Sequence, residues 1–199
     1  MLFEKARAFM YRNARPVNLA VWKYLFENGS AEEVLHTLSF YQNEDGGFGH
    51  AIESDFWNPN STPIATQRAT VWLMELKELD KKHPMVQGIL RYLNSGADFD
   101  STTGQWMNEV PSNNDFPHAI WWEYDGKEKP FGPNPTAPLA GFILKYAEKD
   151  SEIYKKGCEI AKHCYRYLVD SFPDTDMHNV MCLTTLYQCC LDGGVTDLF

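Results

Sequence analysis

The chain has 199 residues, 44% of them hydrophobic and 23% charged, and a net charge of −9. This fits a globular protein with a sizeable core. Acid concentrates between residues 41 and 125, where 13 carboxylates face 5 basic side chains, which argues against nucleic-acid binding and disfavours an anionic membrane surface, because both need a basic patch.

Leu2, Ala6, Phe9 and Met10 share one helical face, and Pro16 interrupts it. Val17, Ala20, Val21, Tyr24 and Leu25 then repeat at helical spacing until Asn28-Gly29. Ser30 followed by Glu33 is a capping box, and Val34, Leu35, Leu38 and Tyr41 form the stripe of the helix behind it. Next comes QNEDGGFGHAIESDFWNP, from Gln42 to Pro59, dense in glycine, acid and aromatic residues. Ser61-Thr62-Pro63 starts a largely apolar helix expected over 64–79, and Pro84 starts another with Met85, Ile89, Tyr92 and Leu93 inward.

Periodicity is lost from about Ser95 to Pro133, a length that points to function more than to plain connection. Asn134-Pro135 opens a helix that is apolar nearly all round and is expected to lie deep. Ser151 to Phe172 is amphipathic, an outer helix. Asp174 to Leu191 is again mostly apolar. No strand pattern stands out, so the expected class is all-α with about eight helices.

Five cysteines at 158, 164, 182, 189 and 190 all fall in helical patterns. An odd count of this kind reads as buried thiols in a reducing, cytoplasmic compartment. Neither a secretory signal nor a membrane span is expected.

The chain also repeats itself. Pro63-Ile64-Ala65 lines up with Pro138-Leu139-Ala140, each after an Asn-Pro pair, and DGGFG (45–49) has a partial counterpart in TGQW (103–106). Units near 31–95 and 100–170, with a partial third from 174, make one domain of stacked helix pairs. QNEDGGFG followed by an N-P-x-S-T-P helix start resembles the prenyltransferase and squalene-cyclase repeat. That resemblance implies an α/α toroid of inner and outer helices, in the superfamily of terpene cyclases and protein prenyltransferase β-subunits. It covers the first corner fully, the second in part, and the helical pattern over most of the chain. A closed ring of that type has more helices than are read here. The expectation is therefore an incomplete toroid, which is truncated, open, or completed by a second copy as a homo-oligomer.

In the corner itself, Gln42, Asp45, Gly46, Gly47 and Phe48 read as a structural turn. Glu53 and Asp55 lead into an inner helix beside His50 and Trp57, where they are candidates for acid chemistry or for solvated loop charge. PHAIWW (117–122) places His118 next to Trp121 and Trp122, a set suited either to a ligand or to packing. Trp106 joins these as a ligand-binding aromatic. Asp174-Thr175-Asp176 is a broken version of the D-x-D-D that the resemblance implies for class II terpene cyclases, with Asp176 the candidate acid. Helix capping explains the same residues. No zinc-ligand spacing is present, and no metal or cofactor is expected.

The resemblance implies a terpenoid cyclase or prenyltransferase relative holding a small apolar or isoprenoid-like ligand at the toroid mouth. The residues also suit a carbohydrate-active lyase, hydrolase or sugar binder, and a non-catalytic scaffold. An enclosed apolar cavity would favour the first, and an open, acidic, Trp-rimmed cleft the second.

Overall fold

The computed structural model describes residues 2–173, 176–195 and 198. It is all-α, with eight α-helices among those residues: α1 (Leu2–Asn13), α2 (Pro16–Phe26), α3 (Ala31–Ser39), α4 (Pro63–Met74), α5 (Pro84–Ser95), α6 (Thr136–Tyr146), α7 (Glu152–Ser171) and α8 (Met177–Asp192). No helix among them is long and apolar enough to cross a membrane.

The helices start where short polar side chains accept the first orphan amides. The Ser30 hydroxyl accepts from Glu33 N, Thr62 from Ala65 N, and Ser151 from Tyr154 N. Only half of the expected capping box forms, because the Glu33 carboxylate turns instead to Lys23 Nζ at 2.8 Å. Asp176 caps α8, accepting from His178 N and Asn179 N. The alternative cap, Asp174, lies outside the described residues, as does Thr175.

α4 stops at Met74, short of the expected 79. The last turn tightens to i→i+3 bonds, Glu78 takes φ +59, and the Tyr24 hydroxyl accepts from Lys77 N at 2.8 Å. The aperiodic stretch contains a two-residue antiparallel hairpin, β1 (Phe99–Asp100) with β2 (Gln105–Trp106), too short for any alternation to show in sequence. It also contains 3-10 turns at Pro111–Asp115 and Ile120–Trp122.

α6 is the centre, packing against α4, α5, α7 and α8. Ten of its 11 residues are buried; only Lys145 is not. α6 and α8 approach closely at Gly141, where a Cβ would stand 3.0 Å from that of Cys189. One hydrophobic cluster runs from Val17 to Cys190. Burial pushes the thiols of this cluster up, Cys164 and Cys182 to about 12 and Cys190 to about 11.

α1 departs from expectation. None of its residues is buried, and Leu2 and Phe9 face outward. It is held to α2 by Phe3 stacked on Trp22 at 5.5 Å and by Glu27, which accepts from Tyr11, Trp22 and Arg7. An amphipathic stripe is satisfied by partial cover, so its spacing alone did not decide depth.

Candidate functional site

Residues 42–49 form a closed corner. Gly46 has φ +97, and a Cβ on it would lie 2.0 Å from the carbonyl oxygen of Gly88 in α5. Gln42 Nε2 donates to Gly46 O and Met85 O, while Asp45 Oδ1 accepts from Gly47 N and the Ser61 hydroxyl. Phe48 is fully buried, and its N–H is taken by the Thr66 hydroxyl at 3.0 Å. At the second corner, Trp106 N donates to the Thr136 hydroxyl at the same distance.

Beyond Gly49 the chain changes character. His50 and Ala51 both take left-handed backbone (φ +58 and +60). The Arg15 guanidinium donates to the carbonyls of Ala51 and Ile52, clamping this turn to the start of α2. Ile52 and Phe56 are buried and anchor the loop from below.

This loop is zipped to the one carrying PHAIWW. Ala119 N donates to Asp55 O at 2.9 Å and Trp57 N to Pro117 O at 3.0 Å. Asp55 then spends both carboxylate oxygens on indoles, accepting from Trp121 Nε1 at 3.1 Å and Trp122 Nε1 at 2.9 Å. Trp122 also stacks on Phe56, 5.8 Å between centroids. Beneath, the buried Asn58 and Asn113 bond one another at 3.2 Å, and Asn113 Nδ2 donates to Trp122 O.

Of the residues expected to share a mouth, Asp55, Trp57, His118, Trp121 and Trp122 come together here. His118 donates from Nδ1 to Phe116 O at 2.6 Å, which leaves Nε2 4.0 Å from Glu123 Oε2. Glu53 is on the same loop but pairs with Arg68 of α4 at 2.7 Å. His50 turns back to the corner, its Nε2 2.8 Å from Asn43 Oδ1.

Two candidates lie elsewhere. Trp106 is in the core, 1% exposed, edge-on to Phe99 and beneath Lys156. Its indole N–H has no acceptor among the described residues. Lys156 Nζ sits 3.9 Å from the Phe99 ring centre, and burial lowers its pKa. Asp176 is the α8 cap already described. Sequence reasoning missed Arg15, Asn58, Arg68 and Asn113, which fix the loops. The contacts of Arg15 with Ile52, Asn58 with Asn113 and Arg68 with Glu53 span 15 to 55 residues, so no local pattern marks them.

The surface of the zipped loops is open and aromatic. Trp57 and Trp121 are each 61% exposed, yet both indole N–H groups are bonded, Trp57 to Ser54 O at 3.2 Å. The faces are thus presented while the edges are fixed. Ile120 stands beside them at 82% exposure. Open depressions of about 550 Å³ along α7 and about 400 Å³ at the α4 and α6 ends do not include these loops. Among the described residues no group of three His, Cys, Asp or Glu could hold a metal ion.

No family model, no curated protein and no solved structure matches this chain.

Proposed function

We propose that loops 50–58 and 111–124 form a stacking platform for a saccharide. The observation that carries this reading is the exposure of Trp57 and Trp121 with their N–H edges tied down. Ordered indole faces bind the C–H faces of sugar rings at little entropic cost, and nearby polar groups take hydroxyls. Here the exposed group is Glu123, whose Oε2 lies 4.0 Å from Nε2 of the largely buried His118. Asp55 and Glu53 are engaged by indoles and by Arg68 respectively, so the reading is one of binding and not of two-carboxylate hydrolysis.

The corner motif and the Asn-Pro helix starts support placing the helix pairs on the α/α-toroid plan. On that plan both loops are mouth connections leading to the inner helices α4 and α6. The isoprenoid reading rests on the same resemblance, and the exposed Ile120 beside Trp121 favours it as the competing ligand class. An open array on this plan would also take a second copy.

Intrinsic fluorescence titration with soluble oligosaccharides and with prenyl diphosphates tests the reading. The expected result is a saccharide-dependent change in emission. Trp57→Ala and Trp121→Ala should each weaken that binding about tenfold, equivalent to ~1.4 kcal/mol. Saturable binding of prenyl diphosphates with no response to any saccharide would replace this reading with the isoprenoid one. No response to either class would leave the exposed indoles to a protein partner, as in interface hot spots.

A further inference from the structure

Loops 50–58 and 111–124 contain no Lys or Arg, and they carry four carboxylates, Glu53, Asp55, Asp115 and Glu123. Two cations reach the first loop from outside it, and both are engaged. Arg68 pairs with Glu53 at 2.7 Å, and the Arg15 guanidinium is turned in to the carbonyls of Ala51 and Ile52. Lys127 and Lys129, the next bases along the chain, both bond to Asp125. Asp55 accepts from two indoles, and no cation pairs with it among the described residues. Asp115 and Glu123 are exposed. His118 does not neutralise Glu123 while its ring is neutral. Its Nδ1 donates to Phe116 O, so Nε2, 4.0 Å from the carboxylate, holds a lone pair and not a proton.

The aromatic faces have the same sign as the carboxylates. An indole carries negative potential over its face and positive potential at its edge, and it is the side chain best suited to hold a cation. Trp57 and Trp121 present their faces to solvent, while their N–H edges are bonded to Ser54 O and Asp55. Ring faces and carboxylates therefore act in one direction, and no base on either loop opposes them. An anionic ligand is repelled by both.

We propose that the platform takes a cationic amino-sugar oligosaccharide in preference to a neutral or an acidic one. The inference rests on the saccharide reading above and adds the charge class to it. A sugar ring with an ammonium at C2 brings C–H bonds to an indole face and a cation to the carboxylates in one pose. A neutral ring brings only the first, and a uronate replaces the second with like charge. Exposed charges are screened by salt over ~8 Å at physiological ionic strength. The preference is therefore salt-dependent, while stacking on the indoles is much less so.

Calorimetric titration of the whole chain with three β-1,4-linked tetramers tests it. These are the tetramers of glucosamine, glucose and glucuronate, compared at about pH 6, where the amines are mostly protonated and the uronates ionised. The glucosamine tetramer should bind about tenfold more tightly than the glucose tetramer, and the glucuronate tetramer more weakly than either. Raising salt from about 20 to about 500 mM should shrink that ratio to under about threefold. Glu123→Gln keeps a hydrogen-bonding group and drops the charge, so it should shrink the ratio likewise at low salt. Trp121→Ala should weaken glucosamine binding about tenfold. Equal affinity for the glucosamine and glucose tetramers overturns the proposal and leaves the saccharide platform standing. A preference that survives Glu123→Gln also overturns it. So does glucosamine binding that Trp121→Ala leaves unchanged, which marks attraction to the net charge of −9 and not to this surface. No binding of any tetramer removes the platform and this inference together.

Discussion

The two halves of the Gln42–Pro59 stretch each carry two acids and one phenylalanine, with all three glycines in the first half, and they are opposite in physical character. In 42–49 the Gln42 and Asp45 side chains bond backbone or a neighbouring hydroxyl, the glycine backbone lies against α5, and Phe48 is buried. In 50–58 the Asp55 carboxylate reaches a second loop 66 and 67 residues away, and an aromatic face is left in solvent. Glycine and acid in sequence therefore say little about chemistry until one knows whether the side chains are used up locally. The corner is a joint; the loop is a surface.

The largest effect expected from that contrast is at the joint. Gly46→Ala introduces a Cβ that collides with the Gly88 carbonyl and forces alanine into φ +97. Urea unfolding should show a loss of about 3 kcal/mol. A loss under 1 kcal/mol would mean that the corner is not interlocked with α5. Next comes Asp55→Ala, which leaves two indole N–H groups without their acceptor. A loss of about 2 kcal/mol is expected, with a red-shifted tryptophan emission as the loops part. Trp57→Ala should change stability by less than about 0.5 kcal/mol, since exposed side chains rarely matter to folding. The contrast between these last two variants separates what holds the surface from what the surface offers.

Another small effect is electrostatic. Burial raises the pKa of Asp98, which also lies near the Tyr92 hydroxyl and Asp45. An acid whose folded pKa exceeds its unfolded value binds more protons in the folded state. It therefore lowers stability as pH rises from 3.8 through the raised folded value. Asp98→Asn removes that decline and suits the left-handed backbone at this position, φ +52. Stability at pH 7 should rise by under about 1 kcal/mol, with the gap to wild type closing at pH 3. A gap independent of pH would assign the gain to something other than ionisation.

Helix starts were legible because they are local. Ser30, Thr62 and Ser151 each accept from an amide three residues on, His83 Nδ1 accepts from Met85 N, and Pro63 and Pro84 at the first helical position have no amide to satisfy. The all-α class followed from them. Depth was less legible: the stripes of α1 and α8 look like those of buried helices, but spacing cannot say whether another element arrives to cover them. The site was legible in pieces. Asp55 and the Trp121-Trp122 pair each stood out, while their pairing needs a contact spanning 66 residues. Trp106 looked the same as Trp121 in sequence and differs only in where the hairpin and α7 place it.

The single carboxylate of Asp55 gives the loop pair its grammar. Each oxygen governs one indole, and the backbone of the same residue governs Ala119. Three clauses thus share one subject. Trp121, Trp122 and the Ala119 amide hang on one residue, while the other exposed indole, Trp57, is held separately by the Ser54 carbonyl.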